Sequence, residues 1–345
     1  MIVLHSFYIL THNGESVLSD TIQRQWTENQ NSSILFYLDA NLCLDIVSYF
    51  ENKQAQPQSK TNVEILILFC QQYNIEVSPK FGSMELCKES LNKLNVSKYQ
   101  DFVNKITYTF DTPFIETAKL NEQIFNYDVE VNDTDSRAFE YLFPLQLMSY
   151  VTLLKIYSLC KKKNPSKENV IKNLKLFLHW SGKHLNASMA SEIQLAIRIF
   201  GGDSRFRKMI ALDKKEEHPD DIFRILWGTA WDLFHMRMVH FNAINTSADQ
   251  VMYFITQDAN LYTLFKTCQL QGAISNSGQP ITSFVSYDVE IQYKDANVVK
   301  DINDILTAFM REHSILNSIE PVDIKLLEHL RTTLEYDIKY GVPNK

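Results

Sequence analysis

The chain has 345 residues and a mass of 40.2 kDa, with 45% hydrophobic and 12% aromatic residues but only 9 glycines and 9 prolines. That composition excludes a disordered or fibrous protein and allows one elaborated domain or two intimate ones. A formal net charge of −7 excludes a protein that coats nucleic acid nonspecifically, because neutralising phosphates takes lysine and arginine.

The opening MIVLHSFYIL is apolar but lacks a basic leader and a small-residue cleavage site, and Thr11-His12-Asn13-Gly14 follows as a turn. It reads as a strand. Ile34 to Leu38 is a second apolar run, followed by helical periods over Leu42 to Phe50 and Val63 to Tyr73, with the polar stretch Glu51 to Asn62 read as an exposed loop. Ile75-Glu76-Val77 is strand-like, and a further helix is expected from about Gly82 to Leu94. The order β, α, α, β, α predicts a parallel sheet beginning to wind.

Between about Asp135 and Leu212 the pattern turns wholly helical, with periods over Phe139 to Leu159, Val170 to His184 and Ala190 to Phe200, broken at Asn164-Pro165-Ser166 and Gly201-Gly202. From Asp220 a long helix, Ile222 to about Ile244, precedes a strand, Val251 to Thr256, and a helix from Asn260 on. Strand and helix alternate again, so the helical block reads as an insertion within an α/β core. After Gly278 a β segment over Ser283 to Tyr293 leads to two C-terminal helices, about Val298 to Ile315 and Val322 to Tyr340, the last stopping before Gly341 and Pro343. The expected organisation is a first core part over 1–134, a helical insertion over 135–215, a second core part over 216–295 and C-terminal helices over 296–345.

Five cysteines, Cys43, Cys70, Cys87, Cys160 and Cys268, form no CxxC pair, and four sit in apolar runs. Buried thiols in a reducing compartment, the cytoplasm, are expected. No run approaches 18 uninterrupted apolar residues, so no membrane partner is expected.

Two segments, SILFYLD ending at Asp39 and VMYFITQD ending at Asp258, are continuous apolar runs of the kind that forms a parallel strand covered on both faces. In an open parallel sheet the carboxyl ends share one edge, where ligands bind, so two aspartates delivered there can approach each other. The ordinary alternative is that each caps the helix that follows. On the long helix, apolar residues occupy nearly the whole circumference, while Arg224, Gly228, Asp232 and His235 fall four, four and three apart on one stripe. A buried Asp232 then needs a cation or hydrogen-bond donors, or a network with Arg224 or His235. Glu85, after the short strand and near a helix start, can point back to the sheet edge, and Glu89 competes with it.

Taken together, ILFYLDANLCLDI at 34–46, SMELCKE at 83–89, AWDLFHMRMV at 230–239 and FITQDANLYTLF at 254–265 resemble the PIN-like nuclease family. Its members open with an apolar strand ending in Asp, place a Glu on an early helix and a third acid on a later one, and follow with a strand ending in T-x-D-x-x-L. Thr256-Gln257-Asp258-Ala259-Asn260-Leu261 fits that signature. The resemblance implies an α/β fold with a PIN-like parallel sheet core flanked by helices, here with a large helical insertion and C-terminal helices. It implies Asp39, Glu85, Asp232 and Asp258 as catalytic and metal-binding acids with Thr256 auxiliary, and the stripe on the long helix adds Arg224 and His235 as auxiliary residues.

Oxygen-only ligation suits Mg²⁺ or Mn²⁺ ahead of Zn²⁺. Bound cations would return locally the charge that four acids subtract, so a negative chain is no bar to a nuclease. The resemblance favours RNA over DNA as the substrate and hydrolysis of phosphodiesters as the reaction. Tyr37, Trp231 and Tyr262 are candidates for base stacking, and Lys161-Lys162-Lys163 with Arg205, Arg207 and Lys208 for backbone contact. The helical insertion could carry a protein partner or a second copy of the chain. Two other readings stay open: a PIN-like module that binds nucleic acid or protein without cutting, and a helical interaction protein whose acids only cap and pair locally. His235 and His240 lack the spacing of an HExxH zincin.

Overall fold

A computed structural model describes residues 4, 6–11, 20–22, 24, 33–53, 56–113, 133–161, 167–185, 189–212, 218–245, 250–274, 282–290, 292–312 and 323–341. The turn at 12–14, the break at 164–166, Lys162, Lys163 and Gly278 lie outside these. Packing divides the chain into two units, Met1–Phe143 with Met238–Phe265, and Pro144–Arg237 with Lys266–Lys345.

The first unit starts with β1 (Tyr8–Leu10) and β2 (Ser33–Leu38), then α1 (Ala40–Phe50) and α2 (Pro57–Gln72). Helix α2 begins inside the polar stretch read as a loop, because Pro57 sits at its first turn, where a missing N–H costs nothing. Strand β3 (Glu76–Ser78) leads into α3 (Lys80–Leu86), which ends well before the Leu94 expected from periodicity. The chain instead forms a small hairpin of β4 (Lys88–Ser90) and β5 (Lys93–Leu94), then α4 (Val96–Asp111), a helix the first reading lacked. Its signals were present: the Asn95 side chain accepts from the Lys98 N–H at 3.0 Å as a cap, and Tyr99, Phe102 and Ile106 recur on one buried face.

The last strand of this unit, β6 (Gln250–Thr256), completes a sheet in the order β1-β6-β2-β3, with β2 parallel to both β3 and β6 and β1 antiparallel at the edge. The fold is thus mixed α/β, with a small parallel sheet flanked by helices. Strand β2 alternates between half-exposed Ser33, Leu35 and Tyr37 and buried Ile34, Phe36 and Leu38, so its covering is less symmetrical than its unbroken apolar sequence implied.

The second unit is mostly helical. Helix α5 (Asp133–Lys161) carries Pro144 in its interior, and the division between units falls at that residue. Then come α6 (Lys167–His184), α7 (Ala190–Phe200), the short α8 (Ser204–Met209) and α9 (Pro219–Asn245), the last shared between units with the division after Arg237. Every residue of α7 from Ser191 to Phe200 is buried, including a fully buried Glu192. Ser149 Oγ donates to Glu192 Oε1 at 2.6 Å and Arg237 Nη2 donates to the same oxygen at 2.8 Å, which compensates the charge.

In the first unit α10 (Ala259–Thr267) follows β6, its last two residues passing into the second unit. There β7 (Cys268–Ile274) pairs antiparallel with β8 (Thr282–Tyr287). Strand β7 was not foreseen. Helices α11 (Ala296–Glu312) and α12 (Ile324–Tyr340) close the chain, and Gly341 at φ 75° ends α12 where the sequence placed a stop.

Among the described residues one stretch, Arg137–Lys161, is long and apolar enough to cross a membrane, and 67% of its most apolar window is buried. Its apolar surface is met by protein. Four cysteines are buried, Cys160 is half-buried, and all five are free thiols.

Candidate active site

Parallel pairing of β2 with β6 sets Leu38 opposite Ile255, so the next residues, Asp39 and Thr256, meet at the carboxyl edge of the sheet. The Asp39 backbone N–H extends the ladder by donating to Ile255 O at 3.0 Å. Its side chain is only 3% exposed, and the Thr256 hydroxyl donates to its Oδ2 at 2.8 Å. A buried carboxylate without such a donor would be costly, by several kcal/mol or about that order. Asp39 occupies the cap position of α1 but makes no side-chain capping bond. Capping therefore does not account for this aspartate.

Asp258 differs. Its Oδ1 accepts from the N–H groups of Asn260 at 2.6 Å and Leu261 at 3.1 Å, so it caps α10. Its own N–H donates to the Thr256 hydroxyl at 3.0 Å. One threonine side chain thus joins the buried Asp39 carboxylate to the backbone of Asp258. Oδ2 of Asp258 lies outside the capping bonds, on a half-exposed residue.

Glu85 lies on α3, which packs against β2 and α1. Close packing is possible because residue 82 is glycine: a Cβ there would meet Cys43 Sγ and Leu38 O at 2.8 Å and Ala40 N at 3.1 Å. The carboxylates of Asp39 and Glu85 both act on the Cys43 thiol. Burial first, then Asp39, and more weakly Glu85, push its pKa well above the ordinary 9.0 against a lowering hydrogen bond with Ser83, so Cys43 stays neutral. Glu89, the competing acid, is exposed on β4 and pairs with Lys93 at 2.9 Å. The first unit therefore joins Asp39, Thr256 and Asp258 through hydrogen bonds, with Glu85 on a helix that packs against the same strand.

Asp232, Arg224 and His235 belong to the second unit. Their stripe runs from an exposed Arg224 through half-buried Gly228 and Asp232 to a buried His235. Arg224 pairs with Asp221 at 2.9 Å on the surface, while the His235 ring lies beside Trp231 and Phe234. A Cβ built on Gly228 meets nothing within 4 Å, so the turn preceding Asp232 borders open space.

The aromatic candidates have protein neighbours: Tyr37 stacks on Phe81 at 5.5 Å, Tyr262 on Tyr8 at 4.4 Å, and Trp231 meets Phe234 edge-on at 5.3 Å. Among the basic candidates, Lys161 lies over the Tyr157 ring and Arg205 pairs with Asp203.

Among the described residues no group of three or more His, Cys, Asp or Glu side chains is gathered as a metal cage. Magnesium usually keeps several waters and is held by one or two carboxylates with substrate phosphates, so one or two acids at this edge are compatible with it. Gly82 and Cys43 were missed by sequence reading. A glycine directly before a candidate acid-bearing turn was the available signal. No family model matches the chain, and neither a curated protein nor a solved structure does.

Proposed function

We propose that this chain is a metal-dependent nuclease of the PIN-like kind, an endoribonuclease whose centre is Asp39. The observation that carries the reading is the buried Asp39 carboxylate, free of capping duty, held by Thr256 at an edge where two parallel strands end. A buried carboxylate at the edge where parallel strands end is a common mark of a site built for a cation or for proton chemistry.

Mg²⁺ or Mn²⁺ is the proposed cofactor, with Asp39, Glu85 and Asp258 as the residues that would hold it, and Asp232 added by the family resemblance alone. When bound, the cation would orient and acidify a water and neutralise charge developing on the scissile phosphate. The chain's own part is positional. Thr256 fixes the direction of Asp39 and the start of the Asp258 turn, and Gly82 lets α3 carry Glu85 close to the same edge. RNA is the proposed substrate ahead of DNA, and the cytoplasm the proposed compartment.

The test is incubation of the full chain with end-labelled RNA and single-stranded DNA in Mg²⁺, Mn²⁺ or a chelator. Internal cuts in RNA with either metal, and none with chelator, are expected. Intact RNA under both metals removes the catalytic reading. The capping role of Asp258 favours as second reading a PIN-like module that binds without cutting, which predicts that outcome.

A further inference from the structure

The helical unit contains a groove that the candidate active site does not use. It lies between α6 and α11, has a volume of about 490 Å³, and is floored by Leu178, Ile305, Ala308 and Phe309. Its rim carries two lysines and a histidine. Lys175, His179 and Lys183 line it from α6 at spacings of four, which sets them on one helix face. All three are exposed, and no carboxylate lies within 4.0 Å of them among the described residues; Glu312 is the one acid on the rim.

The positive field extends past the rim. Burial first, then Lys183, Lys155 and His179, push the His184 pKa below its ordinary 6.5. Lys155 comes from α5 and lies over the Trp180 ring at 5.6 Å. Two lysines thus share one helix face in a protein whose net charge is −7. Two lysines on one helix face beside an apolar floor suit an anion that also carries an apolar part.

We propose that this groove binds a nucleotide unit, with its phosphate on Lys175 and Lys183 and its base or sugar against the apolar floor. Lysines act as point-charge phosphate ligands, and the volume falls within the range of about 300–1,000 Å³ usual for small-ligand sites. The preference for an anion stands on the groove alone, while the choice of a nucleotide rests on the nuclease reading. A free nucleotide and a nucleotide within an RNA strand present the same chemistry.

The experiment is fluorescence anisotropy of a labelled single-stranded oligoribonucleotide with the full chain in chelator, so that nothing is cut, over a salt series. The Lys175→Glu/Lys183→Glu variant is expected to bind at least tenfold more weakly. Losing two phosphate contacts on a single strand should also reduce the log–log salt slope by about 1.4. Lys175→Arg/Lys183→Arg and Lys325→Glu, which lies outside the groove lining, both checked for fold by circular dichroism, are expected to bind as wild type.

Displacement of the probe by millimolar nucleoside monophosphate assigns the site to free nucleotides, whereas tighter binding of longer strands without such displacement assigns it to RNA; either supports the groove. Unchanged binding after charge reversal, or no binding of either probe, overturns it. Binding is read in chelator, where nothing is cut, so failure of the nuclease reading shows in the cleavage assay and leaves this measurement independent.

Discussion

Thr256 and Asp39, 217 residues apart in the chain, share a 2.8 Å hydrogen bond from hydroxyl to buried carboxylate where two parallel strands end. Replacing Thr256 by valine keeps the shape and leaves an Asp39 oxygen without its donor. The expected loss is about 1–3 kcal/mol of stability, read from urea midpoints, together with a fall in metal-dependent cleavage. Thr256→Ser retains the hydroxyl and should remain near wild type. Equal midpoints for the valine and serine variants would show that the bond does not hold Asp39.

Gly82 tests how closely the helix bearing Glu85 must approach. In Gly82→Ala the new methyl would meet two backbone atoms, Leu38 O and Ala40 N, besides Cys43 Sγ. Backbone cannot step aside as a flexible side chain can. A destabilisation of about 1–3 kcal/mol is expected, and adding Cys43→Ala should restore only part of it. Full rescue by the second substitution would place the conflict at the sulfur alone.

The helical unit depends on its buried acid. Arg237 is about a quarter exposed and Glu192 fully buried in their 2.8 Å pair, so removing the cation in Arg237→Met strands a buried charge. A loss near 3 kcal/mol is expected, roughly the lower end for a broken buried pair. Arg224→Ala removes a pair whose side chains are 77% and 50% exposed, and should change stability by less than about 0.5 kcal/mol. Chemical denaturation of both variants checks the contrast; similar losses would contradict it.

Acid stability has a definite sign at Glu51. Hydrogen bonds from Lys105, then from Lys53, hold its carboxyl below the ordinary 4.5. A pKa depressed by folding means that the pair stabilises fully above pH 4.5, and that this stabilisation is lost as pH falls through the lower folded value. Glu51→Gln should therefore be less stable than wild type at pH 7, and the gap should narrow as pH drops below 4.5. A gap that widens on acidification would reverse the assignment.

Much of the edge geometry was legible because apolar runs ending in aspartate are informative about parallel strands, and β2 and β6 do lie side by side with Asp39 and Thr256 level. The capping bonds of Asp258 were foreseen only as an alternative, since Asp in that position serves either purpose. The early end of α3 was not legible: a continuous helical period passed through Leu86, and the hairpin that replaces it is set by pairing of Lys88 with Leu94. Helix α4 escaped because its apolar residues are interleaved with polar ones, although Asn95 marked its start. The polar stripe of α6 was readable from the spacing of Lys175, His179 and Lys183, but only the opposing α11 makes it a groove.

The most direct measurement is Mn²⁺-dependent cleavage of labelled RNA by wild type, Asp39→Asn, Asp258→Asn and Asp232→Asn, each shown to be folded. Asparagine can still cap a helix, so Asp258→Asn removes charge while keeping α10 anchored. The account predicts cutting by wild type, a loss of at least about a hundredfold, roughly 2.7 kcal/mol of barrier, for Asp39→Asn, and smaller losses for the other two. Wild-type rates from Asp39→Asn, with metal still required, would contradict it.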